Sequence, residues 1–269
     1  MAEITAKMVN ELRAKTGQGM MACKKALQET GGDMEKAIEY FRKKGVKASL
    51  GERAASEGRV FGVATDDGKA VALVEINCNT DFTARSDTLA KIGGELAKLY
   101  AHNPDTDIAA AAQSGLTEAS QTTGENVRLG KTARLDAPAN GKAGLYLYGI
   151  TGKIGVIMAF TGNPSEDLIK QLGGHIAFAK PIGLTRESVP AEVVAKERDF
   201  AVEQAKATGK PQQIAEKIAE GKMNSFFAER VLLDQEFFNA QVFKGTIANY
   251  LKQNDVTLEK YARIEVGQG

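Results

Sequence analysis

Cysteine and histidine are scarce in this chain of 269 residues, which holds two of each. Neither a CxxC pair nor an HExxH run occurs, so no metal-ligand spacing presents itself and no metal or cofactor is expected. Cys23 and Cys78 lie far apart within apolar patterns, as buried thiols in a reducing cytoplasm do. No apolar stretch approaches the ~20 residues of a membrane span. The first residues, with Glu3 and Glu11, lack the apolar run of a signal peptide and are too acidic for a transit peptide. A cytoplasmic protein without membrane association is expected. Phosphate-loop and nucleophile-elbow signatures (GxxxxGKS/T, GxSxG) are missing, no paired carboxylates stand out, and His102 and His175 have no recognisable partners in the sequence. Enzymatic chemistry is therefore not expected. Charge of one sign is lacking too: 35 Lys and Arg against 34 Asp and Glu leave +1, without the concentrated basic footprint of direct nucleic-acid binding.

What is present is 43% hydrophobic residues, enough for the cores of two or three domains. Charge is mildly uneven. Residues 1–53 carry 11 Lys and Arg against 7 Asp and Glu, a basic surplus that suits an acidic protein surface. That region reads as three short helices. Thr5 is a candidate N-cap, followed by Met8, Val9 and Leu12 at helical spacing. Gly17 and Gly19 break this helix. A second, from about Met20 to Thr30, sets Cys23, Ala26 and Leu27 on one face and ends at Gly31-Gly32. Asp33 caps a third, with Met34, Ala37, Ile38 and Phe41 inward and Gly45 closing it. Two adjacent helical residues cannot face one direction, so one of Met20 and Met21 can serve the bundle while the other points out. Arg13 reads as solvated. Residues 47–57 lack apolar anchors and read as a linker.

Two β-patterns follow, Arg59–Thr65 and Ala70–Asn77, around the turn signal Asp67-Gly68. In the second, Ala72, Val74, Ile76 and Cys78 share a face, and Val71, Leu73, Glu75 and Asn77 share the other. The strand delivers the chain to Asn79-Thr80-Asp81-Phe82-Thr83, a junction without regular periodicity where functional side chains are commonly presented. Phe82 there has two readings: a plug closing the core, or a ring held out to a partner. A helix follows with Leu89, Ile92, Leu96 and Leu99 along one stripe, and its Gly93-Gly94 suggests close packing on a sheet. Asn103–Gln121 is Ala-rich and partly helical, and a strand lies near Val127–Leu135.

The second half echoes the first. Strand patterns at Ala143–Ile150 and Lys153–Phe160 lead through Gly162-Asn163-Pro164 to a helix whose Leu172-Gly173-Gly174 and Ile176-Ala177 match Ile92-Gly93-Gly94 and Leu96-Ala97. No Asp-Phe pair stands at the second junction, so the repeated architecture does not demand one. After Pro190, two charged helices, one to about Thr208 and one over Gln212–Glu220, flank Gly209-Lys210-Pro211. Their sparse apolar residues (Val193, Val194, Phe200, Ile214, Ile218) suit a two-helix seam. A helix around Thr246–Gln253 and a strand around Tyr261–Val266 close the chain. The expected fold class is α+β: a three-helix bundle over 1–46, the linker, and two related subdomains (58–140 and 141–269), each an antiparallel sheet with helices on one face. The second carries a helical hairpin at about 190–222.

Two stretches carry a resemblance. Glu75-Ile76-Asn77-Cys78-Asn79-Thr80-Asp81-Phe82 is similar to the Thr-Asp-Phe signature of the bacterial elongation factor Ts family. Leu12-Arg13-Ala14-Lys15-Thr16-Gly17-Gln18-Gly19-Met20-Met21-Ala22-Cys23-Lys24-Lys25-Ala26-Leu27 is similar to that family's N-terminal motif. The similarity continues to Arg263-Ile264-Glu265-Val266-Gly267. It implies a guanine nucleotide exchange factor, a bundle of the ubiquitin-associated (UBA-like) type, a coiled-coil protrusion, and elongation factor Tu as partner in its GDP-bound and nucleotide-free forms. It also implies that Thr80, Asp81, Phe82 and Thr83 disturb the partner's Mg2+ site, and that Arg13, Met20 and Met21 meet its nucleotide-binding domain. Gly124-Glu125-Asn126 resembles a further family contact, and is otherwise an ordinary turn. Three positions depart from the pattern: Thr83 where Val is usual, Asn79 where Gln or Glu is common, and Tyr148 where many members carry His. An adaptor built on the N-terminal bundle is the alternative reading, and it leaves the larger C-terminal region unexplained.

Overall fold

A computed structural model describes residues 4–16, 18–43, 54–149, 152–207, 209 and 211–268. Most of the expected linker, Gly17, and Gly45 as the end of the third helix lie outside the described residues.

The first three helices are α1 (Ala6–Thr16), α2 (Met20–Glu29) and α3 (Met34–Lys43). Thr5 and Asp33 accept from the amides of Met8 and Lys36, at 3.3 and 3.0 Å. Each thereby takes up a donor that a helix start leaves unpaired. Val9, Leu12, Cys23, Ala26, Leu27, Ala37 and Phe41 close a small core.

Strands β1 (Glu57–Ala64) and β2 (Ala70–Cys78) form the expected hairpin, and a four-residue helix α4 (Asp81–Ala84) follows at the junction. Then come α5 (Asp87–His102), α6 (Ile108–Thr123) and β3 (Arg128–Asp136). The sheet is antiparallel with order β1-β2-β3. The second half supplies β4 (Gly141–Tyr148), β5 (Ile154–Thr161), α7 (Glu166–Ala179), α8 (Ala191–Lys206), α9 (Gln212–Arg230), α10 (Ile247–Gln253) and β6 (Thr257–Glu265). Its sheet has order β4-β5-β6, also antiparallel.

Every residue of β2 is buried, because both of its faces are covered. Val74, Ile76 and Cys78 pack with Leu89, Leu96 and Ala97 of α5. On the other face Val71 and Leu73 join Val60, Ala143, Ile157 and Ile264 in a core between the two sheets. The helices do lie on one face of each sheet. The opposite faces meet each other, in four layers of helix, sheet, sheet and helix. Glu75 and Asn77 fall on the inner face, where a buried polar group needs a partner. The Asn77 side-chain amide donates to Glu75 at 2.6 Å, and the Lys131 amide donates to the same carboxylate at 2.9 Å.

The doublet glycines have a common cause. A Cβ on Gly93 would lie 2.1 Å from the ring of Phe61, and one on Gly173 would lie 2.3 Å from the Cβ of Tyr146. Each helix thus seats a glycine on an aromatic of the first strand of its own sheet, a structural counterpart to the echo in the sequence.

Three expectations are corrected. Leu99 is exposed rather than part of the α5 stripe. The second hairpin helix does not stop near Gly221 but runs to Arg230, because Met223, Phe226 and Phe227 carry the seam onward. The seam itself is built from Ala201, Ala205, Ala215 and Ala219, whose small side chains let α8 and α9 approach closely; Val194 and Ile218 flank it, while Val193, Phe200 and Ile214 are exposed.

Candidate partner-binding site

The junction between β2 and α5 displays one large side chain. Phe82 is 82% exposed, although Thr83 and Ala84 beside it are buried. A four-residue helix has a single turn, so its residues divide between an inner and an outer face. Thr83 and Ala84 take the inner face and Phe82 is left outside. The core-plug reading is therefore excluded in this structure. Asp81 pairs with Arg85 at 3.3 Å across the same turn, an exposed contact worth little by itself.

The turn is anchored from below. Thr80 caps α4, its hydroxyl accepting from the Thr83 amide at 3.3 Å. That hydroxyl donates to Glu125 at 2.6 Å, and the amides of Asn79 and Thr80 donate to the same carboxylate at 3.0 and 3.1 Å. Asn79 is occupied on both sides: it accepts from the Asn126 amide at 2.7 Å and donates to the Ala54 carbonyl at 2.7 Å. Gly124 ends α6 with φ +69°, a left-handed turn that glycine adopts without strain and that swings Glu125 under the junction. Burial works to raise the Glu125 carboxyl, but the Thr80 hydroxyl, Thr83 and the two amides outweigh it and hold it below the usual range. The carboxylate is thus charged at neutral pH. Gly124-Glu125-Asn126 is bonded to the junction within the protein, a pairing for which the sequence carries no signal of its own. Burial and the nearby Glu125 charge push the Cys78 thiol up to about 11, so this cysteine is no nucleophile.

On the N-terminal bundle both Met20 and Met21 are exposed, at 49% and 78%. This corrects the expectation that one would fill the core, where Cys23, Ala26 and Leu27 suffice. Arg13 is half-buried on α1. Tyr148 ends β4 half out in solvent, edge-to-face with Phe178 at 4.7 Å. His175 has no recognisable partner in the sequence. It lies buried on α7, 2.9 Å from the Gln235 side chain, and accepts from the Phe238 amide at 3.3 Å.

Among the described residues no cluster of His, Cys, Asp and Glu could hold a metal ion, and no described helix is long and apolar enough to cross a membrane. The fold and the junction define a two-sheet α+β protein whose conspicuous feature is a displayed ring rather than a pocket. A family profile described as elongation factor TS matches residues 79–268. Curated proteins named elongation factor Ts match almost end to end. That of Thiobacillus denitrificans is 40% identical over 280 residues, covering 100% of this chain and 94% of the relative. That of Methylococcus capsulatus is 38% identical over 278 residues, covering 99% and 93%. The chain belongs to the elongation factor Ts family, and is thereby a translation elongation factor.

Proposed function

We propose that this protein is the guanine nucleotide exchange factor of elongation factor Tu, acting in the cytoplasm by contact alone, without covalent chemistry or a cofactor. Linkage sets the thermodynamics: a protein that binds the nucleotide-free form more tightly weakens nucleotide binding by the same factor. Fast release further requires a ternary complex in which the nucleotide's ligands are already displaced. A GTPase holds Mg2+ and phosphate with exacting geometry, so a ring pressed between neighbouring elements can disturb both. Phe82 is that ring. Asp81 makes the adjoining polar contact, while Thr80 and Thr83 fix the turn. Asn79 and Thr83, which depart from the family pattern, are engaged within the protein, so neither alters the displayed surface. Arg13, Met20 and Met21 form a second contact on the N-terminal bundle, where exposed methionines adapt to a partner. That bundle is a separate module; the linker expected at 47–57 stops one residue sooner, since Glu57 already opens β1, and it leads to the subdomains at 58–140 and 141–269.

The observation that carries this reading is the 82% exposure of Phe82 beside the buried Thr83 and Ala84. An apolar ring held in water on a braced turn contributes little to its own fold. The test is release of labelled GDP from elongation factor Tu with and without this protein. Acceleration at stoichiometric amounts is expected, and its absence would reject exchange.

A further inference from the structure

Phe82 has almost no packing of its own to set its direction. Its aim depends on the backbone that carries it, and that backbone, between the last ladder residue of β2 and the first turn of α4, is tied down by one side chain from elsewhere in the sequence. Glu125 takes the amides of both Asn79 and Thr80 and the Thr80 hydroxyl. The hydroxyl bond matters twice. By giving its proton to Glu125, the Thr80 oxygen is oriented to accept from the Thr83 amide, which is the cap that starts α4. A connected path therefore runs from Glu125 through Thr80 to the turn that presents Phe82. Beside it, the Asn126 amide holds the Asn79 side chain.

We propose that Glu125 is a positioning residue for exchange, a brace that fixes the presentation of Phe82 and acts only through it. This rests on the wedge reading of Phe82. Donors from Asn79, Thr80 and Thr83 converge on the carboxylate from within the chain, so its role differs from that of a surface acid reaching for a partner. Charge-assisted bonds of this kind are short and directional. Thr80 is exposed and Asn79 half-buried, so water can replace the lost acceptor with little change in global stability. What is lost is the fixed geometry, on which a wedge depends.

The substitution Glu125→Gln keeps the side chain's size but removes the charge and leaves a single acceptor oxygen where two serve the amides and the Thr80 hydroxyl. In the free protein, amide hydrogen exchange at Asn79 and Thr80 is expected to quicken at least tenfold, while the centre of β2 is unchanged. With elongation factor Tu, GDP release is expected to be about tenfold slower than with the unmodified protein. In a Phe82→Ala background, Glu125→Gln should add nothing further. Unchanged exchange at Asn79 and Thr80 would overturn the brace. So would an equal slowing by Glu125→Gln with and without the ring, since Glu125 would then act by its own contact. Full activity of Phe82→Ala alone would instead sink the wedge reading, and with it the brace's role in exchange. The amide measurement, made without partner, still reports whether the brace itself exists.

Discussion

Replacing Phe82 by Ala separates the two roles an aromatic can have at a strand end. A phenylalanine side chain offers roughly 200 Å² of surface. At 82% exposure, less than a fifth is covered, roughly 40 Å², worth about 1 kcal/mol at ~25 cal/mol per Å². Alanine's better helix propensity returns up to about 0.5 kcal/mol in the single turn of α4. The expected net cost is therefore under ~1 kcal/mol, against about 3–5 kcal/mol for removing a core Phe. Urea melts give the first quantity, and stopped-flow release of labelled GDP gives the second. Release is expected to slow at least tenfold, a loss of about 1.4 kcal/mol of transition-state stabilisation. The reasoning fails in either of two ways: a stability loss near the core value would show that the ring packs inside, and an unchanged release rate at full stability would show that the exposed ring does no prying.

Adjacent glycines should respond with opposite signs. Gly93→Ala drives a methyl into Phe61 and should cost about 1–3 kcal/mol; Gly94 has nothing within 4 Å, so Gly94→Ala should stabilise by up to ~1 kcal/mol. Thermal melts of the two variants decide it, and a Gly93→Ala protein as stable as Gly94→Ala would contradict the close helix–sheet approach. His175 should make stability pH-dependent. Burial lowers its pKa from 6.5, partly opposed by the bond to Gln235. The unfolded chain therefore binds a proton first as pH falls, so stability is full above 6.5 and is lost as pH drops below it towards the folded value, by up to about 1.4 kcal/mol per pH unit. Urea melts at pH 7.5 and 5.5 should show a smaller difference for His175→Gln than for the unmodified protein. The double variant Met20→Ala, Met21→Ala should bind elongation factor Tu about five- to thirtyfold more weakly, ~1–2 kcal/mol, with unchanged melting. Calorimetric titration measures this, and an unaltered Kd would remove the bundle from the proposed contact.

Local chemistry made much of the fold legible. Caps at Thr5 and Asp33, the Asp67-Gly68 turn and the alternation in β2 each act over a few residues, and each falls where its pattern points. What stayed hidden depends on pairings between distant segments. The inner face of β2 reads as half polar because of Glu75 and Asn77. That it packs against a second sheet becomes visible only once Lys131 is beside Glu75 to accommodate the carboxylate. The hairpin seam is not legible from its large apolar residues, because two helices at close range select alanine. The second hairpin helix, expected to end at Glu220, is carried on to Arg230 by the contacts of Met223, Phe226 and Phe227. At the site, the identity of Phe82 was legible and its direction was not. Nothing in the sequence near residue 80 announces an acceptor from residue 125.

The internal echo also locates where the two halves diverge. Ser86 caps α5 and Ser165 caps α7 in the same way, each hydroxyl accepting from the amide three residues on, at 3.2 and 3.1 Å. In the first half residues 79–85 separate the end of β2 from that cap; in the second only residues 162–164 separate the end of β5 from its own. The excess is four residues, the length of α4. The repeated scaffold of strand, cap and glycine-bearing helix therefore stands without the displayed ring, and the single extra turn adds a side chain that the scaffold itself does not use. A surface loop can lengthen at small entropic cost, but a loop alone would leave the ring free to wander. Glu125, reaching over from the end of α6, converts that added length into a fixed projection, so the proposed exchange activity resides in an insertion and its brace while the two sheets beneath supply the rigidity against which the ring can push.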